Sequence, residues 1–456
     1  MTVARELAEF LARSSASDLP LQAVEHAAML IASTLASAAF GAGLESAGII
    51  RDLARERGGR PDASLWFHPG PKLPVADAAQ VNAVASDAAA SDDSDLRNIV
   101  HAGTTLVATT LAAAERTGAG GEDVLAAIVL GYEAAGRIGE AITPGFRTRG
   151  FHGCLIAIFA GAVAAGRLLD LEAAPMAQAI ALSATSIGGL ATAANTSVAR
   201  EYHAGLAAML GIHAALAAQR GFQAEERILE TPHGFFEVYG GVEPTNAEAS
   251  VTRDLGQSWD IVTDMAIKLV PGGHPHHALA EAAANAARDG RIAPDEVESI
   301  TLSRPGVTTL AGPRHPTDLI GMAHSPAYFL AAGVADQDFS WVHATQAKIT
   351  DPVIHRLIDR IRVGAPPTDN AACYRQGAMV TIRTTDGRTS MSTVYAPKGA
   401  GIGGIAWADI DAKYRALVPH SGLHNREIEA SLSVIHDFRQ VKNVSALTNL
   451  LKPQEA

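Results

Sequence analysis

The chain has 456 residues, 48% hydrophobic and 18% charged, which is more than one ordinary domain needs and excludes a disordered chain. A formal net charge of −12 argues against a general nucleic-acid or anionic-membrane binder, so any cationic site has to be local. Aromatic residues make up only 5%, and abundant alanine favours closely packed helices over sheet.

In chain order, residues 1–12 have the spacing of an amphipathic helix and lack the apolar core of a secretory signal. Apolar residues then recur at helical spacing over 21–40, 102–116, 122–138, 156–169 and 204–219, separated by breaks rich in Gly, Pro or Asp. The long uncharged stretch 175–199 is interrupted by Gln178, Ser183 and Asn195, so we expect a buried helix pair there and not a membrane span. After Met265 the texture changes. Residues 297–302 and 378–383 alternate like strands, and the second enters a hairpin turn at Asp386-Gly387 and returns from Thr389. Helical patterns resume at Trp407 and again near Glu427. The expected class is therefore mainly α: an all-helical domain over 1–265, a smaller α+β domain over 266–404, and C-terminal helices over 405–456 that return to the first domain.

Four segments concentrate polar chemistry in apolar surroundings. Ser91-Asp92-Asp93-Ser94-Asp95 followed by His101 and Thr104 offers carboxylates that can hold a histidine, although the same residues also suit a loop and helix cap. Arg147-Thr148-Arg149-Gly150-Phe151-His152 stands just before a long apolar helix, where helix N-terminus and arginines both attract anions. Arg200-Glu201-Tyr202-His203 opens another helix, a position unfavourable for a cation unless it faces an anion. Lys268 with His274, His276 and His277 lies at the apparent domain junction. No nearby carboxylate or thiolate completes a metal site among these histidines, so no metal is expected. Cys154 and Cys373 are far apart, which gives neither a disulfide framework nor a paired-cysteine site and suits a reducing, cytoplasmic location. Gly399-Ala400-Gly401-Ile402-Gly403-Gly404 matches a dinucleotide-binding pattern but has no βαβ context.

Taken in order, these segments resemble the MmgE/PrpD family. Asn82 with Asp92, Asp93 and His101, then Gly150-Phe151-His152, then Arg200 with His203 and Gly205, then Lys268 with Pro271 and His277 carry the likeness. Ser325-Pro326-Ala327-Tyr328, Asp351-Pro352 and Asp386-Gly387-Arg388 extend it. The resemblance implies a large helical domain built from both chain ends, a smaller α+β lid and a homodimer. It also implies cofactor-independent removal of a proton beside a carboxylate in a small di- or tricarboxylic acid, followed by loss of water or carbon dioxide, or by reprotonation in an epimerase. Asp87 and Ala90 stand where the family has histidine and aspartate, Gly153-Cys154 where it has Pro-Thr, and Arg200 where it has lysine.

On that basis His101 and His152 are the candidate acid and base, because imidazole exchanges protons near neutral pH. Lys268 and Arg200 are the candidate stabilisers of enolate-like charge, with Arg149 in reserve, and Tyr328 is a candidate donor. Asp92, Asp93, Thr104, His274 and His277 complete the expected binding set. Two further readings stay open: a carboxylate-binding protein without turnover, and a magnesium-dependent prenyl-diphosphate enzyme built on Asp92-Asp93-Ser94-Asp95. No nucleic-acid or membrane partner is expected.

Overall fold

Helices with almost no polar face make up the centre of the first unit, because alanine on every side lets neighbours close in from all directions. A computed structural model describes residues 1–186, 188–368, 371–374, 376–400 and 404–453, so residues 401–403 of the glycine-rich stretch lie outside it. The chain divides into one unit of Met1–Ile267 with Ala406–Ala456 and another of Lys268–Ile405.

In the first unit, helix Ala199–Gln219 packs on helices Val75–Ala88 and Cys154–Leu168, and helix Gly121–Ala141 packs on the other side of Cys154–Leu168. Helix Leu21–Gly41 packs on Val75–Ala88 and is covered on another side by the C-terminal helix Trp407–Leu417. It is the one described helix long and apolar enough to cross a membrane, and 83% of its apolar window is buried inside the protein, as in a core helix. Glycine permits the close crossing of Leu21–Gly41 and Val75–Ala88: a Cβ on Gly41 would stand 1.9 Å from the Ala85 carbonyl oxygen.

The mainly α expectation does not hold. The chain is 58% helical and among the described residues carries two small sheets, one of them inside the unit expected to be all-helical. There β1 (Asp93–Asp95) pairs antiparallel with β2 (Met265–Ile267). Asp-Ser-Asp has no apolar alternation and no β-branched residue, so nothing local announces a strand. The partner lies far along the chain, and burial of all three residues makes pairing of their backbone obligatory. The expected buried helix pair over 175–199 is also half wrong. Helix Ala173–Ala184 buries Met176, Ile180 and Ala181, whereas helix Ala191–Thr196 buries only Ala194.

The second unit holds a four-stranded sheet in the order β4-β3-β5-β6, with β3 (Val297–Ser303) parallel to β4 (Ile361–Val363) and antiparallel to β5 (Ala378–Thr384). The hairpin to β6 (Thr389–Val394) turns where expected, with Gly387 at φ +90° beside Asp386. Ile300, Leu302, Val380 and Ile382 share one core with residues of helices His277–Asp289 and Pro326–Asp336.

The Gly41 crossing gives a direct check on this packing. Gly41→Ala is expected to destabilise the protein by about 1–3 kcal/mol, because the intruded carbonyl belongs to helix backbone that cannot rotate away. A chemical denaturation midpoint equal to that of the parent chain would show the crossing to be looser than described.

Candidate active site

The segment after helix Val75–Ala88 leaves it through Ala90 at φ +52°, a left-handed conformation that side chains rarely adopt, and enters β1. Asp93 in β1 is buried. Its Oδ1 accepts the Gly103 N–H at 2.8 Å and its Oδ2 accepts the Tyr132 hydroxyl at 3.0 Å. Gly103 lies in the first turn of helix Ala102–Thr117, where amides and helix dipole favour a carboxylate. A Cβ at Gly103 would stand 2.5 Å from that Oδ1, so only glycine admits the contact. Burial, and then the neighbouring Asp92, push the Asp93 carboxyl up to about 6 against the opposing pull of His101 and the two donors.

This anchor positions His101. The His101 Nδ1 lies 2.7 Å from the Asp93 carbonyl oxygen, 2.7 Å from Asp92 Oδ2 and 3.3 Å from Ser94 Oγ. A carbonyl and a carboxylate both accept, so Nδ1 carries the hydrogen and directs it at the carbonyl, while Asp92 acts as the charge partner. Nε2 is left as the nitrogen that can exchange a proton with a bound molecule.

His101 shares a narrow pocket of about 10 Å³, room for a single water-sized group, with Asp87, Thr104, His152 and Cys154, walled by Ala157 and Ala204. Two helix N-termini open onto it, those of Ala102–Thr117 and Cys154–Leu168, and both favour an anion. His152 is held by its backbone N–H, which donates to the Gly189 carbonyl at 2.9 Å, and its ring lies 5.1 Å from that of His203. Burial, followed by the positive company of His101, His203, Arg200 and Arg147, depresses the His152 imidazole to about 3. It is therefore neutral at ordinary pH and can donate or accept a hydrogen bond without carrying charge. Burial pushes the Cys154 thiol up to about 12, so it is no ready nucleophile.

Arg200 does not line the cavity. It lies behind Asp87, with Nε donating to Asp87 Oδ2 at 2.7 Å and Nη2 to the Asp87 carbonyl. Burial lowers the guanidinium pKa, but Asp87, Asp92 and Glu201 more than offset this and hold it above its ordinary value. The two departures from the family pattern at positions 87 and 200 thus form one ion pair. An arginine expected to clamp substrate is already occupied by a carboxylate of its own chain.

The structure brings together Asp92, Asp93, His101, Thr104 and His152, and puts Arg200 one layer back. It does not bring in Arg149, which is exposed, with its guanidinium beside Gly241. Lys268, His274, His277 and Tyr328 belong to the second unit. There Lys268, His274 and His277 are buried, and the His277 ring stacks on Phe329 at 6.0 Å. The Tyr328 hydroxyl donates to the His343 carbonyl at 2.9 Å inside the core, which makes the phenol a packing element of that unit. Sequence reasoning missed Asp87 and His203 as site residues. The spacing of Arg200 and His203 held the signal, because residues three apart share one helix face.

Two family models match the chain: the MmgE/PrpD N-terminal domain over residues 5–248 and the MmgE/PrpD C-terminal domain over residues 271–436. A human protein named cis-aconitate decarboxylase is 25% identical over 94% of this chain and 90% of its own length. A protein of the same name from Aspergillus terreus is 28% identical over 57% of this chain and 55% of its own. A cis-aconitate decarboxylase-like protein from Aspergillus oryzae is 26% identical over 66% of this chain and 67% of its own.

Two outcomes follow from the buried charges. Asp93 keeps its proton in the folded chain up to about pH 6, whereas the unfolded chain releases it near 3.8. Its contribution to stability is complete below pH 3.8 and is lost as pH rises to about 6, by roughly 3 kcal/mol. Asp93→Asn is therefore expected to change in stability relative to the parent between pH 4 and 6 and to run parallel to it above. A constant difference in urea midpoint across pH 4–7 would sink the assignment. Asp87→Ala, which strands the partly buried Arg200, is expected to destabilise the protein by about 2–4 kcal/mol in the same measurement, somewhat below the cost of a fully buried pair. A loss below 1 kcal/mol would mean that solvent already screens the pair.

Proposed function

This chain belongs to the MmgE/PrpD family, and on that premise we propose that it is a lyase that moves a proton at a carbon beside a carboxylate of a small di- or tricarboxylic acid. The Asp93 carbonyl accepts the His101 Nδ1–H with Asp92 beside it, which fixes the tautomer. That single arrangement carries the reading, because it leaves Nε2 facing the chemistry. In the eliminating direction Nε2 takes the proton. The C–H electron pair moves into the adjacent carboxylate as enolate-like charge and then expels the leaving group. In the decarboxylating direction the C–C bond to the departing carbon dioxide breaks, its electron pair stays on carbon, and Nε2–H delivers the proton there.

The charge that develops on the substrate is anionic in both directions. The amides of two helix N-termini, the neutral His152 and the Thr104 hydroxyl are the groups placed to receive it, and preorganised donors of this kind supply several kcal/mol. No step needs a metal or organic cofactor. The relatives named as decarboxylases make release of carbon dioxide the first reaction to test. Both His101 and His152 line the cavity, and two imidazoles at one carbon also suit an epimerase.

The test is proton NMR in D₂O with EDTA, using a panel of small di- and tricarboxylates that includes cis-aconitate. Deuterium at a carbon beside a carboxylate, or a new vinyl signal, is the expected result. His101→Gln should slow it by about 10²–10⁴-fold, the range for a general acid or base. Unchanged turnover in that variant would remove His101 from the reaction, and an unchanged panel would refute the lyase reading for these acids.

A further inference from the structure

Cys154, His152 and His203 converge in a way that proton transfer at His101 does not use. One candidate ligand atom from each, the thiol Sγ and a nitrogen of each imidazole, lie within 4.8 Å of one another. The Nδ1 atoms of His152 and His203 are buried and have no hydrogen-bond partner among the described residues. Buried polar atoms are normally satisfied, so two orphaned nitrogens beside one thiol point to a missing ligand. The nearest acceptor for the thiol is the His152 carbonyl at 3.8 Å, a weak contact. Gly189 leaves the space open: a Cβ there would stand 2.6 Å from Sγ and 3.2 Å from His203 Nδ1. The thiol is also this chain's own departure from the Thr of the family pattern.

One sulphur with two imidazoles is a donor set suited to Zn²⁺ or Cu⁺ and poorly suited to Mg²⁺ or Ca²⁺. Tetrahedral zinc, with bonds of about 2.0–2.3 Å, separates its donors by roughly 3.3–3.7 Å. The present separations, all within 4.8 Å, exceed that spacing by about 1 Å at most, a gap that side-chain rotation has to close. We propose that His152, Cys154 and His203 form a binding site for a borderline-soft transition metal ion, best fitted by Zn²⁺, with the fourth position open to water. On binding, the S–H bond breaks, the sulphur electron pair goes to the ion and the proton leaves to solvent. The ion occupies His152 and so switches off the reaction at the same cavity. That blocking role rests on the lyase reading above, whereas the binding itself does not.

The experiment titrates the metal-free full-length protein with Co²⁺ and follows its absorption, which reports tetrahedral geometry in the visible and thiolate ligation in the near ultraviolet. One equivalent is expected to bind with a thiolate-to-cobalt band, and Zn²⁺ is expected to displace it. Cys154→Ser should abolish the band. His203→Asn should raise the dissociation constant by at least ~10-fold, the smallest loss seen even for groups standing behind a ligand. Circular dichroism of both variants separates a lost ligand from a lost fold. A weak octahedral spectrum, or a band that survives Cys154→Ser, overturns the site. Turnover that falls in step with occupancy supports the blocking role, and full turnover with the site filled overturns it. If no acid on the panel is turned over, the absorption titration still decides the binding.

Discussion

Asp93 accepts the Gly103 N–H and the Tyr132 hydroxyl while its Cα pairs with Ile267, so one buried residue ties β1 to two helices and to a segment far along the chain. Its flanking Asp92 and its own carbonyl then fix the His101 ring. The candidate histidine is thus held by Asp92 and by the main chain of Asp93, whose own carboxyl is satisfied within the protein. A buried carboxyl is costly unless its oxygens are satisfied. Gly103, which donates and also leaves room for the carboxyl, and Tyr132 are therefore not interchangeable with other residues.

The acidic composition would work against an anionic substrate if it reached the cavity, but the first unit confines its buried charge in local pairs. Arg97 bridges Glu140, Asp260 and Asp264. Arg137 pairs with Glu133 one helical turn away, and Arg200 pairs with Asp87. What remains to face a ligand is mostly neutral and directional: helix amides, a hydroxyl and an imidazole kept neutral by burial. Such donors favour charge that appears during a reaction over charge already present, which is the condition for lowering a barrier as well as binding. The Asp87–Arg200 pair stands where the family pattern has a histidine and a lysine, and Arg200 does not line the cavity.

The sequence by itself determined the long helices and the hairpin. Apolar periodicity over 21–40 and 102–116 became Leu21–Gly41 and Ala102–Thr117, and Asp386-Gly387 turned where its chemistry requires. Period and turn chemistry are local, so they survive being read one segment at a time. The same local reading picked out Asp92, Asp93, His101, Thr104 and His152, since polar groups at helix starts are visible in a single chain. Tertiary structure alone decided which of them meet. It made a strand of Asp-Ser-Asp by pairing it with Met265–Ile267, turned Arg200 onto Asp87, left Arg149 in solvent, and buried the Tyr328 hydroxyl against a carbonyl. The strand, the Arg200 pair and the Tyr328 bond each depend on a partner more than ten residues away, and a periodicity carries no information about distance across a fold. The physical reason is that a buried polar group must find its complement wherever the packing places one.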